Sequence, residues 1–190
     1  MKRLMLIVFF LILYLNLFSQ ITHSVPGEGG YSAVIEESYY DVSAENEMSV
    51  IQYANLCGKR ILLTADAGRN ALTEAADFAP MIGLVLPGVD RFQIPHHGSR
   101  RNVSTEILDC WLGPRLASKP AKGNVRFVAV VSSAKKDTAH PRKAVVRAMI
   151  HRGAKVLCTE GNSIRIGHNA PDRDGWGPAT PMEYPEDQEE

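Results

Sequence analysis

The sequence has few cysteines and no net charge. Cys57, Cys110 and Cys158 lie far apart and form no CxxC pair, which argues against a disulfide framework and against a zinc ribbon. The 21 basic and 21 acidic side chains balance, so the whole chain has no electrostatic signature of nucleic-acid binding, although a local basic patch stays open. A length of 190 residues suits one ordinary domain.

Long apolar runs are also missing, except at the N-terminus. Lys2 and Arg3 precede an apolar stretch from Leu4 to Phe18, which suits a signal-peptide core better than a membrane span of about 20 residues. No small-x-small cleavage motif follows, so an uncleaved anchor is the alternative. We expect residues 1–20 to be a signal peptide or membrane anchor of an exported or membrane-anchored protein. If this segment is an artefact of truncation, the protein would be cytoplasmic.

The remaining chain divides into a linker, one domain and a tail. Residues 21–45 read as a linker with one short strand, "YSAVIEE". In the domain, residues 46–168, strands alternate with helices, which indicates an α/β (α+β layered) fold. "MSVIQYANL" and "KRILLTA" predict a hairpin, "VSTEILDCWLG" and "PRKAVVRAMIHRG" predict helices, and "SIRIG" predicts a last strand. Residues 169–190 are acidic and proline-rich, which predicts a disordered tail.

Three polar features follow predicted strands or precede a helix, where α/β folds place their sites. They are Asp66 in "RILLTADAG", the pair His96 and His97 in "FQIPHHGSRRNVS", and His140 in "DTAHPRKAV". Read singly, each fits a turn, an exposed loop or a cap. Read together, one carboxylate with neutral histidines suits a zinc, manganese or iron ion. Adjacent residues on an extended segment point in opposite directions, so one of the two histidines would ligate and the other would contact substrate or support the ligand.

The order and spacing of these motifs resemble a known family. "ENEMSVIQYANLCGKRILLTADAG", "FQIPHHGSRRNVS" and "VAVVSSAKKDTAHPRKAVVRAMIHRGAKVLCTEGNSIRI" are similar to the metallo-β-lactamase-like domain of ComEC-type competence (DNA-uptake) proteins. The resemblance covers roughly residues 46 to 167. It implies that Asp66 bridges metal ions, that His97 is a metal ligand with His96 beside it in the site, and that His140 lines the substrate side. His96 and His140 are the catalytic candidates. Asn46 and Ser99 also match the family pattern.

The departures from this family bear on activity. The family has an earlier HxHxDH-type motif that supplies most metal ligands, yet only His23 precedes Asn46 in this sequence. The resemblance therefore implies half of a metallo-β-lactamase-like αββα sandwich, with one zinc or manganese ion or none. Ala65 and Ala139 replace glycines of the family, and Ala65 is expected to crowd the backbone beside the metal.

Three functional hypotheses remain. The first is a metal-dependent hydrolase of the nuclease or phosphodiesterase type, with Arg100 or Arg101 near the phosphate and a partner chain supplying the missing half. The second is a catalytically inactive, truncated half-domain with a binding or regulatory role. The third is a nucleic-acid-binding module. It would use basic residues at Arg100, Arg101, Lys119, Lys122 and Arg126.

Overall fold

A computed structural model describes residues 6–8, 42–121, 123–161 and 163–187, and assigns strands and helices among them. The strands are β1 (Leu6–Val8), β2 (Gln52–Leu56), β3 (Lys59–Leu63), β4 (Arg91–Ile94), β5 (Phe127–Val131) and β6 (Ala154–Cys158). The α-helices are α1 (Ala44–Glu47), α2 (Arg69–Phe78), α3 (Thr105–Leu112) and α4 (Lys143–Ile150), and 3₁₀ turns occur at Ala79–Ile82 and His96–Gly98. The α/β class predicted from the sequence is confirmed.

The strands form one sheet in which the spatial order follows the chain order. β1, β2 and β3 pair antiparallel, whereas β3, β4, β5 and β6 pair parallel. β2 and β3 form the predicted hairpin, with Gly58 at φ +77° in its turn. A helix connects each parallel strand to the next: α2 connects β3 to β4, α3 connects β4 to β5, and α4 connects β5 to β6. Because such crossovers are right-handed, the three helices lie on the same face of the sheet.

That helical face of the sheet carries the core. Tyr53, Leu62, Phe92, Ala129 and Val156 are register partners on successive strands, and all are buried. They form one cluster with apolar side chains of the three helices: Ala71, Leu72, Ala75, Leu108, Trp111, Leu112, Val145 and Met149. Burial of this continuous apolar surface is the main stabilising contribution to the fold.

The opposite face of the sheet is less covered. Val128 and Val130 of β5 are half-buried, and Leu63 of β3 is 45% exposed. The β-branched residues of β5 are typical of a strand that is buried on both faces. The difference arises because the described helices all lie on one side of the sheet.

The helix after β4 begins and ends as the sequence predicts, whereas the helix after β5 begins at Lys143 and ends at Ile150, inside the predicted span 141–153. The Ser104 hydroxyl accepts a hydrogen bond from the Ile107 amide and caps α3, which ends at Gly113. Val145 and Met149 form the buried stripe of α4. Serine caps and apolar residues spaced three or four apart are local signals, so tertiary packing did not override them.

Some predicted boundaries differ from the structure. Residues 163–167 are predicted as a strand but do not form one in the structure. At the outer edge of β6, the Val156 carbonyl instead accepts a hydrogen bond from the Met182 amide. α1 begins at Ala44, inside the predicted linker. The predicted strand at 31–37 lies outside the described residues. So does the predicted signal peptide or anchor, apart from β1.

None of the helices in the described ranges has the length and apolar character needed to cross a membrane.

Residues 182–186, within the C-terminal segment, contact the domain. Arg147 of α4 donates hydrogen bonds to the carbonyls of Pro185 and Glu186. The Tyr184 hydroxyl lies 2.9 Å from Nε2 of His151, and its ring lies under the Lys119 ammonium at 4.6 Å. These contacts fasten residues 182–186 beside β6 and α4.

Deleting residues 180–190 is expected to expose the edge of β6 and to promote self-association. The deletion removes Met182, which packs against the core and hydrogen-bonds β6, and an open edge strand is a template for pairing with another chain. We expect oligomers in size-exclusion chromatography with light scattering, and a loss of about 1–2 kcal/mol of unfolding free energy. Deletion of 187–190 is the control, since it keeps the contacts of residues 182–186. Equal behaviour of the two variants would contradict the prediction.

Candidate functional site

The three predicted polar features lie at one edge of the sheet. Asp66 follows β3, His96 and His97 follow β4, and His140 lies in the connection between β5 and α4. Because β3, β4 and β5 are parallel neighbours, their carboxyl ends meet at the same edge, where α/β folds bind ligands. The structure therefore brings together segments that are widely separated in the sequence.

The turn that carries Asp66 is held by amide side chains from neighbouring segments. The Gln93 side-chain oxygen accepts hydrogen bonds from the amides of Thr64 and Ala65. Buried Asn102 donates to the Asp66 carbonyl at 2.9 Å. These hydrogen bonds hold the backbone on both sides of Asp66, whose side chain is half-buried.

Ala65→Gly is expected to stabilise the protein by about 0.5–1 kcal/mol. Ala65 has φ +47°, a left-handed conformation that a Cβ disfavours and that glycine adopts without strain. Urea unfolding of the two proteins measures the change. Ala134 does not have a positive φ, so Ala134→Gly is the control and should not stabilise the protein. A loss of stability in Ala65→Gly would show that the Ala65 conformation carries little strain.

The histidine pair occupies a tight turn that is joined to both neighbouring segments. His96 and His97 have φ +43° and +55°, so neither lies on the extended backbone that we assumed when we expected them to point in opposite directions. The His96 amide donates to the Ala65 carbonyl at 3.1 Å, and the Arg142 amide donates to the Gly98 carbonyl at 3.1 Å. The turn thus connects the Asp66 segment with the start of α4.

Each of the three histidine rings has a different partner at Nδ1. The partner of His96 is the side-chain nitrogen of Asn46 at 2.8 Å. The partner of His97 is the Ser132 carbonyl at 2.7 Å, and that of His140 is a carboxylate oxygen of Asp137 at 3.0 Å. The ring centroid of His96 lies 5.6 Å from that of His97 and 6.4 Å from that of His140. The partner groups therefore orient three neighbouring rings independently.

The loop carrying His140 contains a carboxylate with a perturbed pKa. Burial acts to raise the pKa of Asp137, but hydrogen bonds from the Ala139 amide and from the ring and amide of His140 outweigh it and lower the pKa. Asp137 is therefore ionised near neutral pH, and it presents a full negative charge to the His140 ring.

A cleft of about 560 Å³ opens beside the rings. His96, His140, Asn46 and Ser99 contribute to its wall. Its cationic side chains are Arg100, Arg101 and Arg142, and no Asp or Glu is among the described residues that line it. Three arginines and no carboxylate among the described residues of the wall favour an anion as ligand.

The predicted metal ligands Asp66 and His97 follow neighbouring strands but are not part of a larger group of ligands among the described residues. His97 Nδ1 is engaged by a carbonyl, which leaves Nε2 for a metal, an arrangement typical of ligating histidines. Within the described ranges, however, no three His, Cys, Asp or Glu side chains form a group that could hold an ion. Asp66 and His97 do not line the cleft, whereas His96 and His140 do. The described residues therefore do not complete a metal centre by themselves.

Sequence reasoning found the histidines but missed the groups that orient and surround them. Asp137 precedes His140 by three residues, and this D-x-x-H spacing in a loop was a usable signal for a carboxylate–histidine contact. Arg142 and Asn102 carried no such signal, because their role depends on how the strand ends meet. Of the proposed nucleic-acid-binding residues, only Arg100 and Arg101 line the cleft; Lys119 pairs with Glu186. Lys122 lies outside the described residues.

Comparison of the chain with protein-family models, with curated proteins and with solved structures gives no match.

Proposed function

We propose that the chain is related to metal-dependent phosphodiester hydrolases of the competence metallo-β-lactamase type, and that its cleft forms the phosphate-binding side of such a site. One observation carries this proposal. The segments that follow the parallel strands β4 and β5 bring His96 and His140 into a cleft that also has three arginines and no Asp or Glu among the described residues of its wall. Arginine binds phosphate oxygens through paired N–H groups, and the His96 imidazole N–H adds a further donor.

The proposed metal-facing residues are Asp66 and His97. Asp66 and His97 would help to hold a zinc or manganese ion, which would supply Lewis-acid chemistry there. Two ligands do not form a working centre, so the proposal requires the remaining ligands from a further polypeptide segment or partner chain, and the residues of this chain alone account for no hydrolytic step. The finer fold proposal, half of an αββα sandwich, agrees with this. The partner segment would cover the sheet face that carries Leu63, Val128 and Val130.

A role at the cell envelope belongs to the same proposal. The apolar run from Leu4 to Phe18 after Lys2 and Arg3 supports export or membrane anchoring. The proposed substrate class there is a nucleic acid or another phosphodiester, which the charge of the cleft favours.

The second candidate function is phosphate binding without catalysis. It is favoured by the absence, among the described residues, of three ligands grouped for one metal ion. In this alternative the cleft would recognise a phosphodiester for a binding or regulatory role, and metal would not be needed.

Metal titration of the purified chain separates the two functions. We expect zinc or manganese to bind weakly to the wild type, with affinity lowered at least about tenfold by Asp66→Ala and by His97→Ala. His168→Ala, at an exposed position, is the matched control and should leave binding unchanged. If neither metal binds, or if both site variants bind as the wild type does, the metal-dependent proposal is wrong.

Binding of the phosphodiester bis(4-nitrophenyl) phosphate in chelator tests the cleft by itself. We expect Arg142→Gln to weaken binding about tenfold, because a charged hydrogen bond contributes about 1.5–3 kcal/mol, and Lys119→Gln, away from the cleft, to have no effect. Binding in chelator without any metal binding would favour the second candidate. Hydrolysis that persists in Asp66→Ala would indicate contamination or another mechanism.

A further inference from the structure

The loop before α4 holds His140 through both its ring and its backbone. One Asp137 carboxylate oxygen, Oδ2, lies 3.0 Å from His140 Nδ1. The other, Oδ1, accepts hydrogen bonds from the amides of Ala139 and His140 at 3.0 and 3.2 Å. Ser133 Oγ donates to the His140 carbonyl at 2.8 Å. An ionised carboxylate only accepts hydrogen bonds, so His140 Nδ1 carries the proton, and Nε2 is the nitrogen left for the cleft.

His96, on the same cleft, has the opposite arrangement. The side-chain nitrogen of Asn46 lies 2.8 Å from His96 Nδ1, and an amide NH₂ group only donates. His96 Nδ1 therefore accepts, and the proton of the neutral ring is on Nε2. Two neighbouring histidines thus face one cleft in different tautomers because one has an amide partner and the other a carboxylate partner.

We propose that Asp137 is a positioning residue that makes His140 the proton-accepting group of the cleft, opposite a donating His96. His96 offers an Nε2–H to a phosphate oxygen. His140 offers a bare Nε2, which accepts a hydrogen bond from a protonated phosphate oxygen or from a water molecule beside the phosphate. When His140 Nε2 takes up a proton, the Asp137 carboxylate offsets the charge of the imidazolium. The choice of phosphate as ligand rests on the proposed function; the tautomers rest on the geometry alone.

Asp137→Asn tests the assignment with almost no change in shape. The asparagine oxygen can keep the hydrogen bonds from the Ala139 and His140 amides, while its NH₂ group replaces the oxygen that faces His140 Nδ1. Long-range ¹H–¹⁵N correlation spectra of the imidazoles report the tautomer, at a pH where free imidazole is neutral. We expect His140 to be Nδ1-protonated in the wild type and Nε2-protonated in Asp137→Asn. Asn46→Asp is the reciprocal control and should move the His96 proton from Nε2 to Nδ1. A His140 tautomer that is Nε2–H in the wild type, or unchanged in Asp137→Asn, overturns the proposal.

A double-mutant cycle separates positioning from a structural effect, with inorganic phosphate as the probe. Asp137→Asn should change phosphate affinity through the His140 tautomer, because it exchanges an acceptor at Nε2 for a donor, and His140→Ala should remove this effect. In the His140→Ala background, Asp137→Asn should therefore cause no further change. An equal change in both backgrounds would mean that Asp137 acts without His140, and the proposal would be wrong. If phosphate does not bind the wild type, the proposed function fails, while the tautomer measurement still decides the role of Asp137.

Discussion

Gly98→Ala is expected to destabilise the protein and to separate the histidine turn from the His140 loop. A Cβ at position 98 would lie 2.6 Å from Pro141 Cβ and 3.0 Å from Pro141 Cα, with Val131 Cγ2 at 3.3 Å. The proline backbone cannot yield as the end of a flexible side chain can. Gly98 also has φ +85°, where any side chain is strained. Overpacking and strain together should cost about 2–4 kcal/mol of unfolding free energy.

The same substitution should also impair the cleft. The Gly98 carbonyl accepts the Arg142 amide hydrogen bond, so moving Gly98 away from Pro141 displaces Arg142 and His140 relative to His96. We expect loss of the His96–His140 ring contact in nuclear Overhauser spectra and at least about tenfold weaker phosphate binding, since misplacement of about 1 Å can cost far more than the contact itself.

Gly58→Ala is the matched control for Gly98→Ala. Gly58 has a similar φ of +77°, and a Cβ at this position would have no atom within 4 Å, so alanine there adds strain without a clash. It should cost only about 1 kcal/mol and leave phosphate binding intact. If both glycine variants lose the same stability and neither alters binding, close packing of Gly98 on Pro141 does not hold the site together.

The parts of the fold that could be predicted from the sequence depend on local signals. The β2–β3 hairpin was marked by two β-prone runs around Gly58, and α3 by Ser104 and Gly113. Asp66 and His96 could be placed at strand ends, because parallel strands align their carboxyl ends whatever the details of packing, and His140 could be placed before the start of a helix. The wall of the cleft could not be predicted in this way. Arg142 and Asn102 enter the site only through contacts between distant segments, and no local pattern encodes such contacts.

Tertiary contacts also explain the elements that differ from the prediction. Composition predicts disorder for the C-terminal segment because it has few apolar residues. However, the Met182 amide donates a hydrogen bond to the outer edge of β6, and Arg147 of α4 donates to the Pro185 carbonyl. These contacts hold residues 182–186 against the domain. The half-buried face of β5 is a similar case. A β-branched strand indicates burial on both sides, but the number of layers that cover it depends on the rest of the protein.

Asp109→Ala is expected to destabilise the fold more than loss of any surface ion pair, because it leaves a buried cation without its anion. Arg152 is 1% exposed, and its Nε donates to an Asp109 carboxylate oxygen at 3.0 Å. Nη2 donates to the same Asp109 oxygen at 2.5 Å, and the remaining hydrogen bonds go to the carbonyls of Ala148 and Thr105 at 2.9 and 3.3 Å. The guanidinium thus joins α3 to the end of α4, the two helices that cover β4, β5 and β6.

The expected cost is about 2–4 kcal/mol, below the 3–5 kcal/mol typical of breaking a fully buried pair, because the Asp109 side chain is 38% exposed and water can partly replace it. Glu186→Gln provides the comparison. Its pair with Lys119 has side chains that are 77% and 54% exposed, and such pairs contribute at most about 1 kcal/mol.

Arg152→Met distinguishes the loss of an ion pair from the burial of an unpaired charge. Methionine keeps much of the side-chain volume but removes the cation, so Arg152→Met should cost less than Asp109→Ala, and adding Asp109→Ala to it should cost little more. Urea unfolding of the four proteins in this cycle measures the coupling. If Asp109→Ala costs no more than Glu186→Gln, the carbonyls of Ala148 and Thr105 satisfy the buried guanidinium without a carboxylate. The bridge between α3 and α4 would then depend on hydrogen bonds rather than on charge.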